Sequence, residues 1–389
     1  MKIFHFISLW WFVQASAKEQ GTPFDYQQEA QQIADALSAT APRPLRADYF
    51  FRVIRNLIRS FPEQEELALT NAVCTALIEK GKNQTPDRYT PRLEDINFQL
   101  RTPCDNRSYP VKDPSGLQLD PDFNTLRNTI LFATGWTTTV SHRHHDGLSK
   151  AYNCRGDTNY LALDVGDYLD TLYSWSAQNT DNIGKYVAQG IQRLSLFMDI
   201  SKLHLMGHSL GAQIVGAAAR HYRLLTGQSL PYVTGLDPAF PCFNEDEGLT
   251  TISANDADFV DIIHTNVGVY GQYAAYGDVD FYVGGKFSIQ NACITQECSH
   301  EIVWDYYKES VYPNNVLNFL ARPCNSLYSL QEGRCEGIES PMGYAVPRNI
   351  NGRYVLDANS EKPYGKNATV AYTDPETSPC GACPFPPNV

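Results

Sequence analysis

Ser209 sits in Gly207-His208-Ser209-Leu210-Gly211, a G-x-S-x-G run preceded by the apolar segment Leu203 to Met206 and followed by the small-residue segment Ala212 to Ala219. A strand that turns sharply into a helix needs glycine on either side of the turn, and such a turn lifts the serine hydroxyl clear of the sheet. It also leaves the Leu210 amide at the helix N-terminus, where it can donate to a developing oxyanion. Three fixed positions recur by chance in long chains, so the strand before and the helix after carry the weight. The other reading of Ser209 is a helix-capping serine in an ordinary glycine-flanked turn.

A serine hydroxyl is a weak nucleophile at neutral pH and needs a histidine base held by a carboxylate. On a strand–elbow–helix scaffold the acid follows the serine and the histidine comes last. Asp237 ends the apolar run in Gly235-Leu236-Asp237-Pro238-Ala239, where a strand would deliver it to the same sheet edge; a turn before Pro238 or a helix cap is its alternative. Three histidines follow Ser209: His221, His264 and His300. His221 lies on the helix behind the serine. His264 ends a strand, which suits a core or supporting role. His300 follows Cys298-Ser299 in a loop, where a disulfide can fix its approach.

The elements that must carry these residues are readable from periodicity. Short apolar runs at Asn97 to Leu100, Thr129 to Ala133, Tyr160 to Val165, Leu203 to Met206, Val233 to Leu236 and Phe259 to His264 alternate with helical stretches. That alternation predicts an α/β fold with a mostly parallel sheet covered on both faces. Before it, from about 18 to 94, apolar spacings of three and four punctuated by Pro42, Pro44 and Pro62 predict a helical extension. From Ala368 to Val389 the chain is rich in Pro and Thr and reads as a tail. The 389 residues are 43% hydrophobic and carry a net charge of -12 without a long basic run, which argues for a globular fold and against nucleic acid as a partner.

Met1-Lys2, the apolar stretch Ile3 to Val13 and the small-residue site Ala15-Ser16-Ala17 predict a signal peptide over 1–17 and a secreted, extracellular product. Ten cysteines in an oxidising compartment are expected to be bridges rather than metal ligands. Cys293 with Cys298 would close a very small loop and Cys324 with Cys335 a hairpin-sized one, while Cys380 and Cys383 form a C-x-x-C. Spacing does not pair Cys74, Cys104, Cys154 and Cys242. Asn83, Asn106 and Asn367 begin glycosylation sequons. His142, His144 and His145 lack the spacing of a closed metal site and are expected in an exposed loop.

Gly207 to Ala212, Gly235 to Phe243, Phe259 to Thr265 and Cys298-Ser299-His300 resemble successive landmarks of the pancreatic lipase family, over about 95 to 357, and most closely its secreted insect members with very short lids. The resemblance implies an α/β-hydrolase lipase domain over 95–367 and a triad of Ser209, Asp237 and His300. It also implies an oxyanion hole from the amides of Leu210 and Trp136, with Thr134 where the family usually has histidine. The family's disulfide-closed lid would be the Cys293–Cys298 loop, enclosing only Ile294, Thr295, Gln296 and Glu297, too short to cover a lipid pocket. Weak interfacial activation and a preference for polar lipids are therefore expected. Tyr270, Tyr273 and Tyr276, in another short loop over the site, could line an acyl groove, rest on a membrane surface or cover core.

The family's structural calcium site would fall between Gly248 and Asp256. This chain keeps Asp256 but has Gly248, Thr251 and Ser253 at the other positions, with Glu245, Asp246 and Glu247 nearby. Hard cations need six or more oxygens, so no metal and no cofactor is expected. The family's C-terminal β-sandwich domain is expected to be missing, and colipase docking with it. The expected function is lipid-ester hydrolysis at a lipid–water interface through an acyl-enzyme. The alternative is a lipid-binding or yolk-type storage protein, since some insect relatives have lost the triad; a peptidase on the same scaffold ranks last.

Overall fold

A computed structural model describes residues 85 and 87–384 except 172, 244–248, 286, 327, 328 and 331. The chain divides into two units between Lys82 and Asn83, and the described residues belong to the second. The predicted signal peptide, the extension up to residue 84, Cys74, Asn83 and the acidic run at 245–247 lie outside the described residues. The described end of the extension carries two short 3-10 turns, Asp87–Tyr89 and Leu93–Asp95.

The apolar runs become strands β1 (Asn97–Arg101), β3 (Asn128–Ala133), β4 (Thr158–Asp164), β5 (Leu203–His208), β6 (Tyr232–Leu236) and β7 (Val260–His264). Five more, β2 (Asn106–Pro110), β8 (Val279–Val283), β9 (Leu320–Cys324), β10 (Ser340–Pro341) and β11 (Gly352–Leu356), complete one sheet in the order β10-β9-β11-β8-β7-β6-β5-β3-β4-β1-β2. The centre, from β4 through β11, is parallel. Antiparallel β1 and β2 close one side, β9 and β10 the other.

Helices cover both faces because the central strands are apolar on both faces. Phe132 and Met206 pack into a core with Tyr152 of α2 (Arg143–Arg155) and Trp304 and Tyr307 of α6 (Val303–Val311). α1 (Gly116–Leu119) is a single turn and α5 (Gln296–Glu301) precedes α6. Leu131 and Leu205, one residue along, are buried on the other face, where α4 (Leu210–Thr226) lies against β3, β5 and β6. There α3 (Tyr173–Leu194) packs on α4 so closely that a Cβ at Gly184 would stand 2.5 Å from Ala217. A side chain there would push the two helices apart.

Cys293–Cys298 and Cys324–Cys335 form as spacing suggested, whereas the C-x-x-C pair does not close on itself. Cys380 bonds Cys154 and Cys383 bonds Cys104, across 226 and 279 residues. Cys242 is disulfide-bonded as well. The described residues after 367 form no helix or strand but lie flat on the domain, with Gly381 so near the end of α2 that a Cβ would meet the Lys150 carbonyl at 1.9 Å. Lys308 of α6 also holds Glu376, at 2.8 Å. The segment is thus a strap rather than a loose tail. Asn106 and Asn367 are exposed, and among the described residues no helix is long and apolar enough to cross a membrane.

Candidate active site

β5 ends at His208 and α4 begins at Leu210, leaving Ser209 alone to make the turn, with φ 56° and ψ -122°. Residues with side chains rarely adopt that conformation, so the surroundings must impose it. Glycine permits the crowding. A Cβ on Gly207 would lie 2.2 Å from the Gly211 carbonyl, and one on Gly211 would lie 2.1 Å from that of Ala133. The Ser209 backbone is pinned to the next strand, its N–H donating to Leu236 and its carbonyl accepting from Ala239.

Register brings the acid alongside. His208 pairs with Leu236, so the residues that follow, Ser209 and Asp237, leave the same sheet edge side by side. Asp237 is fully buried and also takes a positive φ, 41°. Its Oδ2 accepts from His300 Nδ1 at 2.6 Å, and its Oδ1 accepts from the amides of Thr265 at 2.8 Å and Asn266 at 3.0 Å. With Nδ1–H donating to the carboxylate, Nε2 of His300 is the ring nitrogen free to act as a base. His208 donates from Nε2 to the His300 carbonyl at 2.9 Å, and the two rings lie 4.6 Å apart. Burial, reinforced by the His300 ring, holds the His208 imidazole well below its ordinary pKa and so neutral.

The other two histidines are committed elsewhere. His221 faces Asp181 at 3.1 Å on the outside of α4. His264 is buried between Asp280, at 2.7 Å, and the Gln272 carbonyl. The amides of Leu210 and Trp136 donate to no backbone carbonyl among the described residues, as an oxyanion pair requires. Gly135 packs against the serine, a Cβ there standing 3.1 Å from Ser209 Oγ. Thr134 Oγ1 donates to the Thr138 carbonyl at 2.9 Å and Trp136 Nε1 to that of Thr171 at 2.9 Å, which fixes the loop between β3 and α2.

Around the site, the Tyr270 ring lies 5.8 Å from that of His300, and Tyr273, half exposed, meets Phe240 edge-on. Tyr270, Tyr273 and Tyr276 are all incompletely buried, so none of them is core, and of the three Tyr270 is the one whose ring is seen against the triad. Within the Cys293–Cys298 loop Ile294 is 96% exposed, while Thr295 caps α5 by accepting from the Cys298 amide. The loop is therefore the start of the helix that presents His300. Sequence reasoning missed Thr265, Asn266 and Gly271 around the acid; two act through backbone amides that other residues also possess, and the third is one of 26 glycines, which only the fold sets against Asp237.

A family model described as Lipase matches residues 66–364. The chain belongs to the Lipase family. It is 32% identical to Vitellogenin-1 of Ceratitis capitata over 54% of this chain and 48% of that one. It is 29% identical to pancreatic lipase-related protein 2 of Cavia porcellus, over 66% and 60% of the two chains, and 29% identical to the probable phospholipase A1 magnifin of Vespa magnifica, over 47% and 58%. The chain spans about half the length of the first of these relatives that it matches. The family and the sheet together make the domain an α/β-hydrolase.

Against the Lipase family's calcium site, Asp256 does not fit as a ligand. Its carboxylate is buried, paired with Arg220 at 2.8 Å and accepting from the Ser253 amide, so a cation already neutralises it. Of the other positions, Gly248 and the acidic run at 245–247 lie outside the described residues. His142, His144 and His145 are not an exposed loop. They begin α2, where His144 stacks on Trp304 at 4.8 Å and His145, fully buried, meets Phe132 edge-on. Imidazole is apolar enough on its faces to serve as packing surface there.

Proposed function

We propose that this chain is a secreted serine carboxylic-ester hydrolase acting on lipids. The observation that carries the reading is the 2.6 Å contact of His300 with Asp237, made beside a serine held at positive φ. Ser209 Oγ attacks the ester carbonyl while His300 Nε2 takes its proton, the amides of Leu210 and Trp136 receive the oxyanion, and Asp237 keeps the imidazole in the Nδ1–H tautomer. His300 returns the proton to the leaving alcohol. Water, activated by the same histidine, then releases the fatty acid from Ser209. Family membership supports hydrolysis of lipid esters, and the five-residue step from Cys293 to Cys298 favours polar lipids over triacylglycerol because nothing there can fold over an acyl pocket.

A second reading, a lipid-binding or storage protein, is favoured by the likeness to Vitellogenin-1. Such a role needs neither the Ser209 turn nor an acid braced by two amides. The discriminating experiment incubates the purified chain with a fluorophosphonate probe, a phospholipid and a triacylglycerol, with Ser209→Ala as control. Labelling and fatty-acid release are expected from the parent, with turnover at least about 10⁴-fold lower in the variant. A folded parent that neither labels nor releases fatty acid would leave the storage reading in possession.

A further inference from the structure

Every polar atom of Asn266 is engaged, and the partners belong to four different parts of the candidate site. Its amide donates to Asp237 Oδ1 at 3.0 Å, and its carbonyl accepts from the Gly271 amide at 3.1 Å. Its side-chain nitrogen donates to the Ser288 carbonyl at 2.8 Å and to Gln296 Oε1, and its side-chain oxygen accepts from the Tyr270 amide at 2.7 Å. Gln296 in turn donates to Ser288 Oγ at 3.1 Å. Asn266 is fully buried, so none of these groups has water as a substitute partner.

The consequence lies in what those partners do. Gly271 is pressed on the acid, since a Cβ there would stand 2.4 Å from Asp237 Oδ1. Asn266 therefore holds the carboxylate directly, through its amide, and indirectly, by holding Gly271 against it. Gln296 opens α5, the helix that carries His300. The same side chain thus ties the acid's loop to the element that delivers the base. Both ends of the 2.6 Å contact between His300 and Asp237 are referred to one asparagine.

We propose that Asn266 is a positioning residue of the hydrolase: through Gln296 and the Tyr270 amide its side chain sets the distance and angle between Asp237 and His300 without touching substrate. This rests on the function proposed above. An amide side chain suits the task, because only it offers two donors and an acceptor on a planar group of that length. Misplacement of a triad member by about 1 Å costs on the order of 100-fold in rate, whereas binding of a small ester is indifferent to it.

The test compares the full wild-type chain with Asn266→Ala, Gln296→Met and Gln296→Glu on a soluble short-chain ester, reading kcat and KM separately. Asn318→Ala is the control. Asn318 is also buried and donates to Glu309 at 2.8 Å, and Glu309 shares no hydrogen bond with Ser209, Asp237 or His300 among the described residues. Asn266→Ala and Gln296→Met are expected to lower kcat about 10- to 100-fold with KM within about twofold. Gln296→Glu keeps the oxygen that accepts from Asn266 and should keep most of kcat, and Asn318→Ala should lose thermal stability but not kcat. Wild-type kcat in both loss variants, or equal losses in Gln296→Met and Gln296→Glu, overturns the positioning role; the Gln296 pair decides alone if Asn266→Ala does not fold. No turnover by the wild-type chain overturns the hydrolase reading and this inference with it, whereas turnover that the variants retain overturns only the inference.

Discussion

Adding one methyl group at Gly271 would put a carbon 2.4 Å from Oδ1 of Asp237, far inside van der Waals contact. Either the loop or the carboxylate must move, and Asp237 has a hydrogen bond to lose on each oxygen. Gly271→Ala is therefore expected to cut kcat on a soluble ester by about 100-fold while the chain still folds, which circular dichroism and steady-state kinetics together check. Unchanged kcat would mean that the acid tolerates displacement. The same residue shows why the acid's surroundings were unreadable beforehand. Ser209, Asp237 and His300 announce themselves by side-chain chemistry and order, but Gly271 acts by having no side chain, and Thr265 and Asn266 reach the carboxylate with amides that nearly every residue possesses.

Strands β3 to β7 were visible in the sequence because both of their faces are buried, so each reads as an unbroken apolar run. β8, though buried throughout, was not, because Asp280 interrupts its apolar run, and neither were β2, β9, β10 and β11. β2 buries none of its residues and β9 and β11 bury only two each, all three near the sheet's edges, and β9 contains Arg322 and Pro323, which weigh against a strand when met alone. The pairing of the C-x-x-C cysteines was hidden for a different reason: it depends on where the chain's end lies in space, which no local pattern encodes. The Cys293–Cys298 bridge, by contrast, was suggested by its short spacing, and its loop doubles as the capped start of α5. An element tied down at Thr295 and Gln296 has little freedom to swing. Activity on a short-chain ester should consequently rise smoothly as substrate passes its aggregation threshold, and a sharp jump in initial rate there would contradict the fixed loop.

For the molecule as a whole, stability should carry the mark of a carboxyl buried in the middle of the sheet. Burial pushes Asp261 up from 3.8 to about 7, against the Thr234 hydroxyl that donates to it. Between those values the folded chain holds a proton that the unfolded chain has released, so this group's contribution to stability falls as pH rises from about 4 to 7. Asp261→Asn removes that slope. Urea unfolding across this window is expected to show the variant gaining on wild type as pH rises, and a constant difference would assign the titration elsewhere. The strap at the C-terminus adds a consequence in time. Cys104 and Cys154 are made 279 and 226 residues before their partners. At a synthesis rate of about 5–20 residues per second, their thiols wait on the order of tens of seconds with no correct partner in existence. The order in which cysteines emerge thus makes closure of these two bridges wait for Cys380 and Cys383, and a chain that stops short of Cys380 has no means of completing either.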